Sequence, residues 1–167
     1  RQIVHISIGG HMVRVRMSNA FGTQPLAIGS VHIALRGAGA AIKPGSDRTL
    51  TFGGAKSTTI WPGALMVSDA VDLDVPALGD LAVSLYLSGD VPATFLITGH
   101  PVARQTNYVS PAGNFTASAD MPFSTTKQSW YFLTGVEVMA PQQVGAVVVL
   151  GDSITDSNLS TPDTNHR

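Results

Sequence analysis

Apolar and polar residues alternate with a period of two along most of the chain between Arg1 and about Ala140. Because successive side chains of a β-strand point to opposite faces, this alternation predicts strands with one apolar and one polar face. The clearest stretches are His11–Met17, Val31–Arg36, Val71–Val75 and Leu81–Ser88, with a weaker one from Phe132 to Val138. We expect about ten short strands in this region and no helix longer than two turns.

Turn-forming residues separate these stretches at short intervals. Gly9-Gly10 lies between two strand patterns and predicts a two-residue hairpin turn, because glycine tolerates the positive φ that such turns require. Further turns are expected at Pro44–Asp47, Gly53-Gly54, Pro62-Gly63, Ser88–Asp90 and Pro111–Asn114. Many short strands with frequent turns are typical of an antiparallel β-sandwich, such as a jelly roll. The pattern therefore predicts a mainly β fold, with a β-sandwich domain over residues 1–140.

The pattern changes at Pro141. Residues 144–150, Val-Gly-Ala-Val-Val-Val-Leu, are apolar at every position and are followed directly by Gly151-Asp152-Ser153-Ile154-Thr155-Asp156. A short, β-branched, uniformly apolar segment favours a strand that is buried on both faces, as in a parallel sheet covered by helices. We therefore place a domain boundary near residues 140–143 and interpret residues 141–167 as the incomplete start of an α/β domain.

The composition excludes several functional classes. Among 167 residues only 13% are charged and the formal net charge is −1, which argues against a coiled coil, a charged disordered tail and binding to nucleic acid. The chain has no cysteine, so it has neither disulfides nor a cysteine nucleophile. No apolar run reaches the ~20 residues that cross a bilayer. His5, His11 and His32 lack metal-ligand spacing, and we expect neither a metal nor a cofactor.

The Gly151-Asp152-Ser153 motif is the candidate for chemistry. Ligands of open α/β sheets bind beyond the carboxyl ends of strands, where the N–H groups of a following helix can stabilise developing negative charge. Ser153 would there be a nucleophile. The alternative is that this serine only caps a helix, because Asp and Ser are ordinary N-cap residues. The motif and its preceding strand leave both interpretations open.

The segment Val147–Thr155 resembles the first sequence block of the SGNH (GDSL-type) hydrolases. Residues 1–5, residues 13–22 (Val-Arg-Val-Arg-Met-Ser-Asn-Ala-Phe-Gly) and Pro25-Leu26 are similar to the N-terminal β-domain of two-domain bacterial members of that family. The resemblance covers essentially the whole chain. It implies a β-sandwich accessory domain followed by the first strand and nucleophile turn of a catalytic domain.

The resemblance also implies a secreted or periplasmic serine esterase. Ser153 would be the nucleophile, and its backbone N–H would contribute to the oxyanion hole. In this family, the remaining oxyanion donors (a Gly and an Asn) and the catalytic His of an Asp-x-x-His block come from later blocks, which are not present in these 167 residues. We therefore expect little turnover from this chain by itself and a second polypeptide that carries the rest of the site. The implied substrates are acetyl or other short-chain esters, with acylated carbohydrates as one class.

One alternative function remains at this stage. The chain could instead be a non-catalytic β-sandwich module that binds carbohydrate or protein. Its aromatic residues could provide a stacking platform for sugars, although packing in the core and turns is the favoured interpretation; they are Trp61, Trp130, Tyr86, Tyr108 and Tyr131. We expect His100 to lie in a loop and not to act as the missing base, and Asp152 and Asp156 to organise the turn around Ser153.

Overall fold

The structure, a computed structural model, describes residues 1–91, 96–141, 143–156 and 158–165. Within these ranges it contains thirteen β-strands and no α-helix. The strands are β1 (Gln2–His5), β2 (Gly10–Ser18), β3 (Leu26–Leu35), β4 (Arg48–Leu50), β5 (Thr58–Ile60), β6 (Leu65–Val67), β7 (Val71–Val75), β8 (Asp80–Leu87), β9 (Gly99–His100), β10 (Asn107–Val109), β11 (Thr125–Lys127), β12 (Trp130–Tyr131) and β13 (Leu133–Val138). The prediction of a mainly β fold is confirmed.

Two antiparallel sheets form the body of the molecule. The first has five strands in the order β1-β8-β3-β4, with β5 also paired to β3. The second has four strands in the order β13-β2-β6, with β7 also paired to β2. Two small ribbons, β10 with β11 and β12 with β9, are antiparallel as well. All the pairings between the described strands are therefore of the kind that hairpins and Greek keys produce.

One apolar core joins the two sheets, as the alternating pattern predicted. Val13, Val15 and Met17 of β2 are fully buried in it, whereas Arg14 and Arg16 between them are exposed. The five-stranded sheet contributes its own alternate residues, including Ile33 of β3 and Val83 of β8. Each sheet thus covers the apolar face of the other, which is the arrangement of a sandwich.

The outer face of the five-stranded sheet is buried too, although the sequence pattern predicted a polar, solvated face. Ala34 of β3 and Ala82 of β8 lie in a second apolar cluster with Ile3, Tyr108 and Met121. The segment from β10 to residue 121 crosses this face and covers it. Small residues at these outward positions therefore allow a covering layer to approach the sheet closely.

The predicted hairpin turn at Gly9-Gly10 is wrong. β1 pairs with β8 and β2 pairs with β13, β6 and β7, so the two strands lie in different sheets. Neither glycine has a positive φ. A Cβ on Gly9 would stand 2.8 Å from the nitrogen of Ala77, and a Cβ on Gly10 would stand 2.3 Å from the carbonyl oxygen of Met139. These glycines allow backbones to approach closely where the chain passes from one sheet to the other.

The predicted strand at residues 144–150 is not formed. The last strand ends at Val138, and all seven residues of the 144–150 segment are exposed, with Leu150 at 99%. A strand buried on both faces needs neighbouring strands and covering helices, and the described residues offer it neither. The α/β part of the predicted fold is therefore not formed within the described residues.

Candidate functional site

Asp152 and Ser153 begin one turn of helix. The side-chain Oδ1 of Asp152 accepts a hydrogen bond from the N–H of Ile154 at 2.9 Å, and its carbonyl oxygen accepts one from the N–H of Asp156 at 3.1 Å. The carbonyl oxygen of Ser153 accepts a further one from the N–H of Asn158 at 2.8 Å. These bonds make Asp152 the N-cap and Ser153 the first residue of the turn. Asp152 organises the turn as predicted, and the capping side chain is that of Asp152 and not of Ser153.

Gly151 is required by the tightness of this turn. A Cβ at this position would lie 2.0 Å from the Oγ1 of Thr155 and 2.7 Å from its Cβ. The φ of Gly151 is not in the positive region, so the constraint is steric and not conformational. The Gly-Asp-Ser sequence therefore has a local physical explanation: room for Thr155, a cap for the turn, and a serine at its first position.

Ser153 is exposed, and its hydroxyl makes no hydrogen bond with any other described residue. Asp152 takes the N–H of Ile154, whereas the N–H groups of Ser153 and Thr155 have no partner within the turn and remain available to an oxyanion. Three described histidines instead pair with carboxylates away from the serine hydroxyl: His5 with Asp80, His32 with Asp47 and His100 with Asp156. The described residues thus place an exposed serine at the start of a capped turn, with no histidine in contact with its hydroxyl.

His100 lies closer to this turn than its place in the sequence indicated. It belongs to β9 and not to a loop, and its Nε2 lies 2.7 Å from Oδ2 of Asp156, three residues after Ser153. Its ring stacks on Trp130 with centroids 5.8 Å apart. The side chain is partly exposed, so this pair is expected to contribute at most about 1 kcal/mol to stability. Fifty-six residues separate the two partners, and no local pattern could have indicated the contact.

Asp163 makes a second contact between the C-terminal segment and the β-domain. Its Oδ1 accepts hydrogen bonds from the N–H of Thr106 at 2.6 Å and from Nε2 of Gln105 at 2.8 Å. Its Oδ2 accepts one from the hydroxyl of Thr106 at 2.6 Å, and its N–H donates to the carbonyl oxygen of Arg104 at 2.9 Å. Two carboxylates, Asp156 and Asp163, therefore hold this segment against residues 100–106.

The five aromatic residues considered as a platform are divided among three places. Trp61 is exposed on a turn, and Trp130 stacks on His100 while its indole N–H donates to the carbonyl oxygen of Ile3. The three tyrosines Tyr86, Tyr108 and Tyr131 all line one cavity of about 410 Å³. A single sugar-stacking surface formed by all five is therefore not present, but the tyrosines do converge.

The described residues hold no group of three or more His, Asp or Glu side chains arranged to bind a metal ion. None of the helical segments in the described ranges has the length and apolar character that crossing a membrane requires. No protein-family model matches the chain, and no curated protein matches it either.

Proposed function

We propose that this chain carries the nucleophile of a serine esterase of the SGNH type, with Ser153 as the attacking residue. The observation that supports this proposal is the position of Ser153 as the first residue of a helical turn that Asp152 caps and Gly151 makes sterically possible. At such a position a serine hydroxyl is presented beside the N–H groups of Ser153 and Thr155, which the turn leaves unpaired. A carbonyl bound there would develop its negative charge against those groups as the hydroxyl attacks.

The proposed reaction proceeds through an acyl-enzyme. The Ser153 oxygen attacks the ester carbonyl, a base removes the hydroxyl proton, and the alcohol leaves with that proton; water then releases the acid by the reverse sequence. A serine hydroxyl is weakly nucleophilic at neutral pH until a base accepts its proton. Because no described histidine contacts Ser153, the base and the further oxyanion donors belong to additional polypeptide in this proposal.

The exposed segment 144–150 supports the need for such a partner. It presents Val147, Val148 and Leu150 to solvent, and a contiguous apolar segment of this kind is typical of a surface that another element covers. In the proposed complete site, this segment is the first strand of the α/β domain and positions Ser153 at its carboxyl end. The β-domain is then an accessory domain.

Substrate class and location follow from the family resemblance alone. We propose acetyl or other short-chain esters, including acylated carbohydrates, as substrates, and a secreted or periplasmic location. The acyl and alcohol pockets would be built largely by the additional polypeptide.

Labelling by a fluorophosphonate probe tests the role of Ser153. In the assembly of this chain with its additional polypeptide, we expect rapid labelling that Ser153→Ala abolishes and that the matched control Ser160→Ala leaves unchanged. The chain alone should be labelled slowly and should hydrolyse an aryl acetate little faster than buffer. If the assembly is not labelled at Ser153, the esterase proposal is wrong and the non-catalytic binding module becomes the better interpretation.

Native mass spectrometry of the purified material tests the requirement for a partner. We expect the 17.4 kDa chain to be recovered together with a second polypeptide. A monodisperse 17.4 kDa species with enzyme-like turnover of an aryl acetate would show that the chain needs no partner.

A further inference from the structure

A cavity of about 410 Å³ lies in the β-domain and is lined by the last residues of β8 and by the segment that follows β10. Its volume falls in the range of ~300–1,000 Å³ that is usual for sites that bind small molecules. Its walls are mainly apolar and aromatic; they include Leu85, Leu87, Val109, Pro111, Phe115 and Met121. The cavity is formed by residues that the proposed esterase mechanism does not use.

The charges around this cavity are all positive. Arg1 and Lys127 line it, and no Asp or Glu is among its lining residues. The Arg1 side chain is buried, with 7% of the residue exposed, and it donates to neutral groups: Ser84 Oγ at 2.8 Å and the carbonyl oxygen of Ser118 at 2.7 Å, among others. No carboxylate in the described residues lies within ion-pair distance of Arg1. Asp47 and Asp120 act on its charge from farther away and offset part of it, but neither lines the cavity. The wall itself therefore carries only positive charge, which favours a negatively charged ligand.

The polar groups of the wall differ in whether they are already paired. Ser84 accepts from Arg1, and the Asn107 side chain accepts from the N–H of Ile3 and donates to two carbonyl oxygens. By contrast, the ammonium of the exposed residue Lys127 and the hydroxyl of the half-buried Tyr86 have no hydrogen-bond partner in the described part of the chain. The cavity thus offers a large apolar surface with few free donors.

We propose that this cavity binds a small aromatic carboxylic acid. The ring would pack on the apolar and tyrosine walls, where burial of the ring is favourable, and the carboxylate would pair with Lys127 in the field of Arg1. A sugar fits this lining less well, because its many hydroxyls would need more unpaired polar groups than the wall provides. The proposal is independent of the esterase activity.

Calorimetric titration of the full chain with 2-naphthoate, 2-naphthamide and acetate tests the ligand class. We expect 2-naphthoate to bind saturably, the neutral amide to bind about tenfold more weakly, and acetate to give no saturable signal; the tenfold factor is the low end for a charge-assisted hydrogen bond. Equal affinity for the acid and the amide would overturn the role of charge. If 2-naphthoate gives no saturable binding, the proposed ligand class is wrong.

Substitutions test the location. Lys127→Gln should weaken 2-naphthoate binding about tenfold, whereas Lys56→Gln, on a turn that does not line the cavity, should leave it unchanged. Ala112→Trp, at an exposed position on the lining, should block the site while the amide NMR spectrum of the core stays native. If 2-naphthoate binds Lys127→Gln and Ala112→Trp as tightly as the parent chain, the cavity is not its site.

Discussion

Replacing Asn19 by alanine is expected to destabilise the β-domain by about 3 kcal/mol. Asn19 is fully buried, and its Nδ2 donates to the carbonyl oxygens of Gln24 and Ile60, both at 2.9 Å. Alanine would leave both carbonyl oxygens without this donor, and the residue Ile60 is fully buried. Each buried acceptor that loses its partner costs about 1–3 kcal/mol. The Oδ1 of Asn19 has no partner among the described residues, so its loss adds nothing.

Urea unfolding followed by tryptophan fluorescence measures this effect, with a thermal scan as a second readout. For a domain of this size, 3 kcal/mol corresponds to a fall in the melting temperature of roughly 6–12 °C. Asn19→Asp keeps the shape but faces two carbonyl oxygens with a carboxylate, so at neutral pH it should be more harmful than alanine.

Asn114→Ala is the matched control. Asn114 is exposed, and its Oδ1 accepts from the N–H and the hydroxyl of the buried residue Thr116. Because that hydroxyl keeps the hydroxyl of Ser30 as a partner, only the N–H loses its acceptor, and we expect a smaller loss of about 1 kcal/mol. If Asn19→Ala costs no more than Asn114→Ala, the carbonyl oxygens of Gln24 and Ile60 find other partners and the reasoning is refuted.

Three further predictions concern other parts of the chain. Hydrogen bonds from the hydroxyl of Thr51 and the N–H groups of Gly54 and Gly53 lower the pKa of Asp69 below its usual value. The stability that Asp69→Asn removes should therefore be constant above about pH 5 and shrink below about pH 4. Urea midpoints measured as a function of pH test this. Gly10→Ala places a Cβ 2.3 Å from a carbonyl oxygen and should cost about 2 kcal/mol or more in the same assay, whereas Gly135→Ala meets open space and should stay within about 0.5 kcal/mol. Val147 and Val148 are exposed, so replacing both by lysine should lower the apparent mass measured by light scattering without changing the unfolding midpoint. An unchanged apparent mass would contradict the view that this apolar segment drives self-association.

The period-two pattern was sufficient to identify the main strands because a strand that covers a core must alternate. The stretch His11–Met17 lies within β2, and Leu81–Ser88 begins within β8 and passes its end by one residue. The glycine turns at Gly45, Gly53-Gly54 and Gly63 have positive φ values of 61–84°, which is the local property that a sequence reports directly. At Gly9-Gly10 the prediction of a turn with positive φ was wrong, because these glycines instead allow distant backbone segments to pack closely.

The candidate site likewise combines local features, which the sequence indicates, with contacts between distant residues, which it does not. Asp152 as a cap and Gly151 as a steric requirement are local features, and the Gly-Asp-Ser motif indicated them. The contacts of His100 with Asp156 and of Thr106 with Asp163 join residues more than fifty positions apart. The cavity lined by Tyr86, Arg1 and Lys127 likewise arises from segments that are distant along the chain.

The sequence by itself therefore determined the main strands, the faces that they turn to the shared core, the turns at Gly45, Gly53-Gly54 and Gly63, and the tight turn at Ser153, because each depends on residues within a few positions of one another. Only the tertiary structure decided which strands share a sheet, that the outer face of β3 and β8 is covered, and which side chains surround the cavity. Pairing and covering bury surface between segments that meet only in space, and alternation within one strand carries no information about its neighbour. The exposed segment 144–150 illustrates this limit, because its sequence favours a buried strand and the described residues provide nothing to bury it.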